Sequence, residues 1–89
     1  MTAKFLSPVD LHRIDPARNM RRFYMLAIQP TLFGEVSVIR NWGRIGSHGQ
    51  TKIESYDDLT GAETALIRLA ERKRKRGYVD SCGGKANSA

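Results

Sequence analysis

Residues 59–77, LTGAETALIRLAERKRKRG, decide the fold, because apolar side chains change here from the period of a strand to that of a helix. One apolar face recurs at helical spacing and comprises Leu59, Ala62, Leu66 and Leu69. Thr60 and Glu63 match a capping box at the start of this helix. Gly77 is typical of the left-handed residue that follows a helix. The pattern predicts an amphipathic helix over residues 60–76.

The chain before this helix predicts strands. Residues 23–28, FYMLAI, and 35–42, EVSVIRNW, form an antiparallel hairpin around turn residues 30–34. Residues 50–56, QTKIESY, are rich in strand-forming side chains, and an earlier extended piece is predicted within residues 9–14. The fold class is therefore α+β, an antiparallel sheet of about four strands with one amphipathic helix packed across a face.

Length and composition indicate one small domain. The 89 residues carry 40% hydrophobic and 27% charged side chains, which is typical of a globular protein with a single core. We expect an N-terminal extension over residues 1–19, partly extended, the domain over residues 20–79 and a disordered tail over residues 80–89. No apolar run is long enough to span a bilayer. The single cysteine, Cys82, favours a reducing, cytoplasmic location, at the nucleoid if the protein is bacterial.

The net charge points to a polyanion. Fifteen Lys and Arg residues against nine Asp and Glu residues give a charge of +6 and a pI near 10.0. This excess is typical of proteins that meet nucleic-acid phosphates, although a basic surface without such a partner has the same composition.

The residues do not form a recognisable catalytic or metal-binding pattern. His12 and His48 lie far apart in sequence, without a cysteine or acid at a zinc-ligand spacing. Ser47 next to His48 has no third partner of a triad, and Asp57 beside Asp58 is more typical of a solvated helix approach. We therefore predict a protein that is not an enzyme, with no cofactor, no metal and no small-molecule substrate.

Residues 40–52, RNWGRIGSHGQTK, hold the chain's single tryptophan between two arginines and three glycines. An indole offers a flat surface on which a base or sugar packs, while guanidinium groups contact phosphates without reading sequence. Gly43 and Gly46 permit tight turning and close backbone approach. Trp42 as an exposed binding surface and Trp42 as a core anchor both remain open from the residues alone.

The same stretch resembles the signature of the WGR domain family. The resemblance rests on WGRIG at residues 42–46, GQTK at 49–52, FYML at 23–26, the helix and the Gly77-Tyr78 pair. It covers residues 20–79, most of the predicted ordered chain. WGR domains occur in DNA-damage-dependent poly(ADP-ribose) polymerases and as short free-standing bacterial proteins.

The resemblance implies a nucleic-acid-binding module, with DNA as the expected partner and DNA repair as the expected setting. By position, Trp42 takes the role of packing on the exposed nucleotide at a DNA break, and Arg44 the role of linking DNA to neighbouring domains. Arg21 stands where the polymerases carry a polar residue that touches the DNA end. The function is therefore predicted as binding of DNA ends, nicks or gaps. The alternative is a protein-interaction module that docks an acidic partner or a separately encoded enzyme.

Further cations extend this prediction. The basic run at residues 72–76 is commonly a solvated helix end, yet its charges cover most of the helix circumference, so that some face away from the core. Arg22 is one further candidate. The predicted nucleic-acid-binding residues are Trp42, Arg44, Arg40, Arg21, Lys52, Arg72, Lys73 and Arg76.

Overall fold

A computed structural model describes residues 8–31 and 34–81 and has the predicted α+β architecture. In chain order the elements are β1 (Val9–Asp15), a short 3-10 helix (Pro16–Arg18), β2 (Met20–Pro30), β3 (Val36–Arg44), β4 (Gln50–Tyr56), α1 (Leu59–Lys75) and β5 (Val79–Asp80). The predicted hairpin, β4 and the long helix are confirmed, and the extended piece predicted near the N-terminus is β1.

All five strands belong to one antiparallel sheet in the order β4-β3-β2-β1-β5. The register of the central hairpin places Tyr24 opposite Trp42 and Leu26 opposite Arg40. At one edge, β5 pairs with β1 through Asp80 opposite Leu11. The sheet thus extends beyond residues 20–79 at both ends, and Asp80, predicted to begin the tail, lies in a strand. Ser81, the next residue of that predicted tail, is also described, whereas residues 82–89 lie outside the described residues.

Side chains alternate between the two faces of the sheet, and α1 covers one face only. The buried core lies between them and consists of Leu11, Tyr24, Leu26, Val36, Val38, Ala62, Leu66, Ala70 and Tyr78. Complete burial of a leucine such as Leu26 stabilises the fold by about 1.5–3 kcal/mol. Ile53 lies on the opposite face, at 62% exposure. No helix in the described part of the chain is long and apolar enough to cross a membrane.

The start of α1 differs from the predicted capping box. Asp58 is the N-cap, and its carboxylate accepts a hydrogen bond from the Gly61 amide at 2.8 Å. Thr60 lies inside the first turn, so the predicted pairing of Thr60 with Glu63 is wrong. The physical reason is that Asp58 has the extended backbone of an N-cap. Its carboxylate accepts a hydrogen bond from an amide that has no partner within the helix, and a carboxylate at this position interacts favourably with the helix dipole.

Glycines permit two local features of the backbone, the end of α1 and the turn that follows Trp42. Gly77 ends the helix with a φ of 103°, which confirms the predicted left-handed residue. Near the end of β3, a Cβ added at Gly43 would lie 2.6 Å from the Cα of Gly49, which precedes β4. Backbones therefore touch at this point, where only glycine fits. This contact accounts for two of the three glycines around Trp42, and Gly46 supplies the turn itself with a φ of 99°.

Candidate nucleic-acid interface

Trp42 lies on the helix-covered face of the sheet, beside the last turns of α1. Its indole is half-buried and packs beside the buried Tyr24, with ring centroids 6.3 Å apart and planes tilted by 36°. The Arg40 guanidinium carbon lies 5.8 Å from the centre of the indole. Trp42 is therefore an anchor against the core on one side and an accessible surface on the other.

The last turns of α1 bring cations to this indole. A cavity of about 260 Å³ opens beside Trp42, and its charged lining comprises Arg40, Arg72, Lys73 and Arg76. A second cavity of about 460 Å³ shares Tyr24, Trp42 and Lys73 with the first and adds Arg22 and Arg44. We refer to the surface around these two cavities as the Trp42 face; it comprises Arg22, Arg40, Trp42, Arg44, Arg72, Lys73 and Arg76.

Lys73 lies at the centre of the Trp42 face. Its ammonium is 4.7 Å from the ring centre of Tyr24 and 5.5 Å from that of Tyr78. Burial lowers the pKa of Lys73, and repulsion lowers it further, from Arg76 first and then from Arg22, Arg40 and Arg72. The two aromatic rings favour the charged ammonium, so they offset part of this effect. An anion bound here would relieve the repulsion that the four arginines impose.

Most cations of this face lack a counter-ion. Glu54 bridges Arg40 at 3.5 Å and Lys52 at 3.9 Å on the neighbouring strands. The Arg40 Nε atom is nonetheless buried without a hydrogen-bond partner. Within residues 8–31 and 34–81, no carboxylate lies within ion-pair distance of the other five cations, which are Arg22, Arg44, Arg72, Lys73 and Arg76.

Seven of the eight predicted binding residues share the helix-covered side of the sheet. Lys52 belongs to them, opposite Arg40 in the β3–β4 register. The exception is Arg21, which strand alternation places on the other side of the sheet. Its neighbour Arg22, opposite Arg44, takes the position near the indole. The sequence alone could have indicated this position, because Arg22 is two residues before Tyr24 and side chains two residues apart in a strand lie on the same face.

The β3–β4 connection that follows Trp42 is held by side chains that the sequence did not reveal as important. The Asn41 amide donates to the His48 carbonyl at 3.2 Å, to the Gln50 carbonyl at 2.9 Å and to the Thr51 hydroxyl at 3.1 Å. The Ser47 hydroxyl donates to the Arg44 carbonyl at 2.7 Å. These bonds fix the backbone from which Trp42 and Arg44 project. The sequence did contain one indication of this role, since an asparagine in a strand next to a glycine-rich loop commonly forms hydrogen bonds to the nearby backbone.

The Trp42 face has the chemistry of an anion-binding surface, because the flat apolar indole of Trp42 is surrounded by cationic side chains. Among the described residues, no group of three or more His, Cys, Asp or Glu side chains is arranged to hold a metal ion. Comparison with known families decides the relationship. The family model for the WGR domain matches residues 7–85. The chain belongs to the WGR domain family.

Relatives of this WGR chain include longer proteins. It is 43% identical over 68 residues to the uncharacterized protein y4dW of Sinorhizobium fredii. The aligned segment covers 76% of this chain and 33% of that protein. It is 40% identical over 40 residues to protein YehF of Escherichia coli. Here the aligned segment covers 45% of this chain and 15% of the relative. The chain spans about a third of the first of these proteins and less of the second.

The fold also recurs in a solved structure. A crystal structure of a Bacteroides fragilis protein superposes with a TM-score of 0.72 at 27% identity, over 84% of this chain and 19% of that one. The sheet and helix described above are therefore an arrangement that a distant sequence also adopts, as a small part of a longer chain.

Proposed function

We propose that this WGR chain is a binding module for DNA ends, nicks or gaps. One observation carries the proposal: a half-buried indole with an accessible side lies among five cations that have no carboxylate partner in the described chain. Family membership supports it, because the resemblance of the motif implies nucleic-acid binding. The module acts by binding and has no catalytic step of its own.

Trp42 and its surrounding cations divide the work of recognition. A nucleotide at a break exposes a face that is stacked within an intact duplex, and the Trp42 indole packs on that face. Such stacking contributes roughly 1–3 kcal/mol per base. The guanidinium groups of Arg22 and Arg44 contact phosphates in a bidentate way, which positions the duplex without reading its sequence. Recognition of a break therefore comes from Trp42, and most of the affinity comes from charge.

Salt dependence follows from the number of phosphates that are neutralised. If four of the five unpartnered cations, those other than Arg72, each meet one phosphate of the duplex, the logarithm of affinity falls with the logarithm of salt with a slope of about 3.6. The same slope applies to a shuffled duplex, because none of these contacts reads a base edge. Affinity that is indifferent to salt would instead support the docking of a protein partner.

The test is a titration of a blunt duplex, a nicked duplex and a closed circle of one sequence. Trp42→Ala should remove the preference for broken DNA and leave weak, salt-sensitive binding. Arg44→Lys should restore only part of what Arg44→Ala loses, because lysine cannot form the bidentate contact. Melting curves of each variant establish that it is folded.

Arg21 and Arg22 provide a matched pair of controls. They are adjacent, both exposed, and of opposite strand parity. Arg22→Ala should lower affinity for all duplexes and reduce the salt slope by about 0.9, while Arg21→Ala should change neither. Equal losses in both variants would show that binding is a property of net charge alone and would contradict an interface on the Trp42 face.

A further inference from the structure

The Trp42 face continues into a groove between α1 and β4. The groove has a volume of about 610 Å³. Its principal lining residues are Arg40, Glu54, Tyr56, Arg68, Leu69 and Arg72. Arg40, Leu69 and Arg72 also line the cavity beside the indole, so the two spaces adjoin. A ligand that leaves Trp42 in this direction remains in contact with the protein.

The groove favours an anion. Arg68 and Arg72 are four residues apart on α1, which places them one above the other on the same helix face. Neither has a carboxylate within ion-pair distance among the described residues. The single acid in the lining, Glu54, is engaged by Arg40 and Lys52, so its charge is already compensated. The open part of the groove therefore presents positive charge.

The groove also has an apolar wall and the dimensions of a path. Tyr56 and Leu69 are both half-buried there. Gln50 lies opposite Trp42, and Tyr56 lies at the other end of β4, so the two aromatic side chains are separated by about 20 Å along the sheet. Cations between aromatic side chains are the arrangement that proteins use to follow a single strand of nucleic acid.

We propose that this groove binds the single-stranded extension of a DNA end whose terminal base pair packs on Trp42. The inference rests on the proposed function. A paired strand hides its base faces in the stack, and only an unpaired strand can offer them to Tyr56 and Leu69. Its phosphates meet Arg68 and Arg72. The groove thus gives the module a preference for extended ends over blunt ends.

The experiment compares a blunt duplex with the same duplex carrying a short oligothymidine extension at its 3′ or its 5′ end. With one of these polarities, binding should be tighter and the salt slope steeper by about 1.4, from two phosphates on a single strand. Arg68→Gln should lower this increase by about 0.7 and leave blunt-end affinity unchanged. Arg18→Gln, which removes an exposed arginine outside the groove, should preserve the full gain.

A second variant tests the apolar wall. Tyr56→Leu keeps a side chain against α1 and removes the aromatic platform, so it should reduce the gain from the extension about tenfold. Because Arg68 is exposed, its variant remains informative if Tyr56→Leu does not fold. The proposal is overturned if neither polarity binds more tightly than the blunt duplex. It is also overturned if Arg68→Gln weakens blunt and extended ends equally, or if polyglutamate binds as tightly as oligothymidine of equal charge.

Failure of the proposed function gives a different result. If blunt and nicked duplexes do not bind while free oligothymidine binds in an Arg68-dependent way, the groove is confirmed and the duplex-end function falls. If blunt ends bind through Trp42 and the extension adds nothing, the function stands and the groove proposal falls.

Discussion

Replacing Gly49 should damage the fold and the interface together, and the size of the effect follows from what surrounds this residue. Gly49 has a φ of 71°, where an L side chain costs roughly 1–2 kcal/mol. A Cβ at this position would overlap the Trp42 carbonyl oxygen and would lie 2.9 Å from the Trp42 carbonyl carbon. Because these are backbone atoms, the overlap can be removed only if β3 moves. Such overpacking typically costs about 1–3 kcal/mol more. We expect Gly49→Ala to lose about 2–5 kcal/mol.

Gly46 supplies the matched control for this prediction. Its φ is 99°, also left-handed, but nothing lies within 4 Å of an added Cβ. Gly46→Ala should therefore lose only the backbone term of roughly 1–2 kcal/mol. For a domain of this size, each kcal/mol lowers the melting temperature by about 4–8 °C.

Thermal and urea unfolding, followed by circular dichroism and by the fluorescence of the single tryptophan, separate the two variants. Gly49→Ala should melt well below Gly46→Ala and should also change the emission of Trp42 in the folded state. If the two variants melt at the same temperature with the parent's emission, the backbone contact between Gly49 and Trp42 does not constrain this face. The reasoning from the close approach would then be refuted.

Four further predictions concern α1 and its N-cap. Lys73→Met should raise the melting temperature at low salt and lower DNA affinity, because it removes the charge that the arginines repel. Since the folded pKa of Lys73 lies below its ordinary 10.5, stability should rise with pH between these values, and a proton titration of the variant should lack this contribution. DNA phosphates raise this pKa, so parent affinity should fall at alkaline pH more than that of Lys73→Met. Asp58→Ala should cost about 0.5–2 kcal/mol in denaturant unfolding, whereas Thr60→Ala should be close to neutral.

The sequence predicted the elements whose period is long enough to be unambiguous. The long helix and the strands around Trp42 belong to this class, because many residues support each assignment. β5 has only two residues, Val79–Asp80, and derives its identity from pairing with β1, which no local pattern contains. At the helix start, the sequence pattern predicted a cap at Thr60, whereas the extended backbone of Asp58 and its hydrogen bond from the Gly61 amide identify Asp58 as the N-cap.

The type of candidate site was predictable from the sequence, but the full set of residues that form it was not. The motif predicted Trp42 and Arg21, and the alternation of side chains along β2 places Arg22, rather than Arg21, on the side of the sheet that holds the indole. By contrast, the groove depends on how α1 crosses β4, so neither Arg68 nor Tyr56 could be connected with Trp42 from spacing. Tertiary packing brings these residues together across the sheet.

The pairing of β5 with β1 has a consequence for how this domain can be built into larger proteins. The Ser81 amide donates to the Asp10 carbonyl at 2.8 Å, so the two ends of the described domain lie side by side. Both strands point their free ends away from the β3–β4 connection, as the register of β1 against β2 shows. A host chain can therefore enter and leave at one place, as in an inserted cassette, without covering Trp42. This geometry suits a module whose relatives are longer proteins, and it makes tandem fusion through these ends a practical route to bivalent variants.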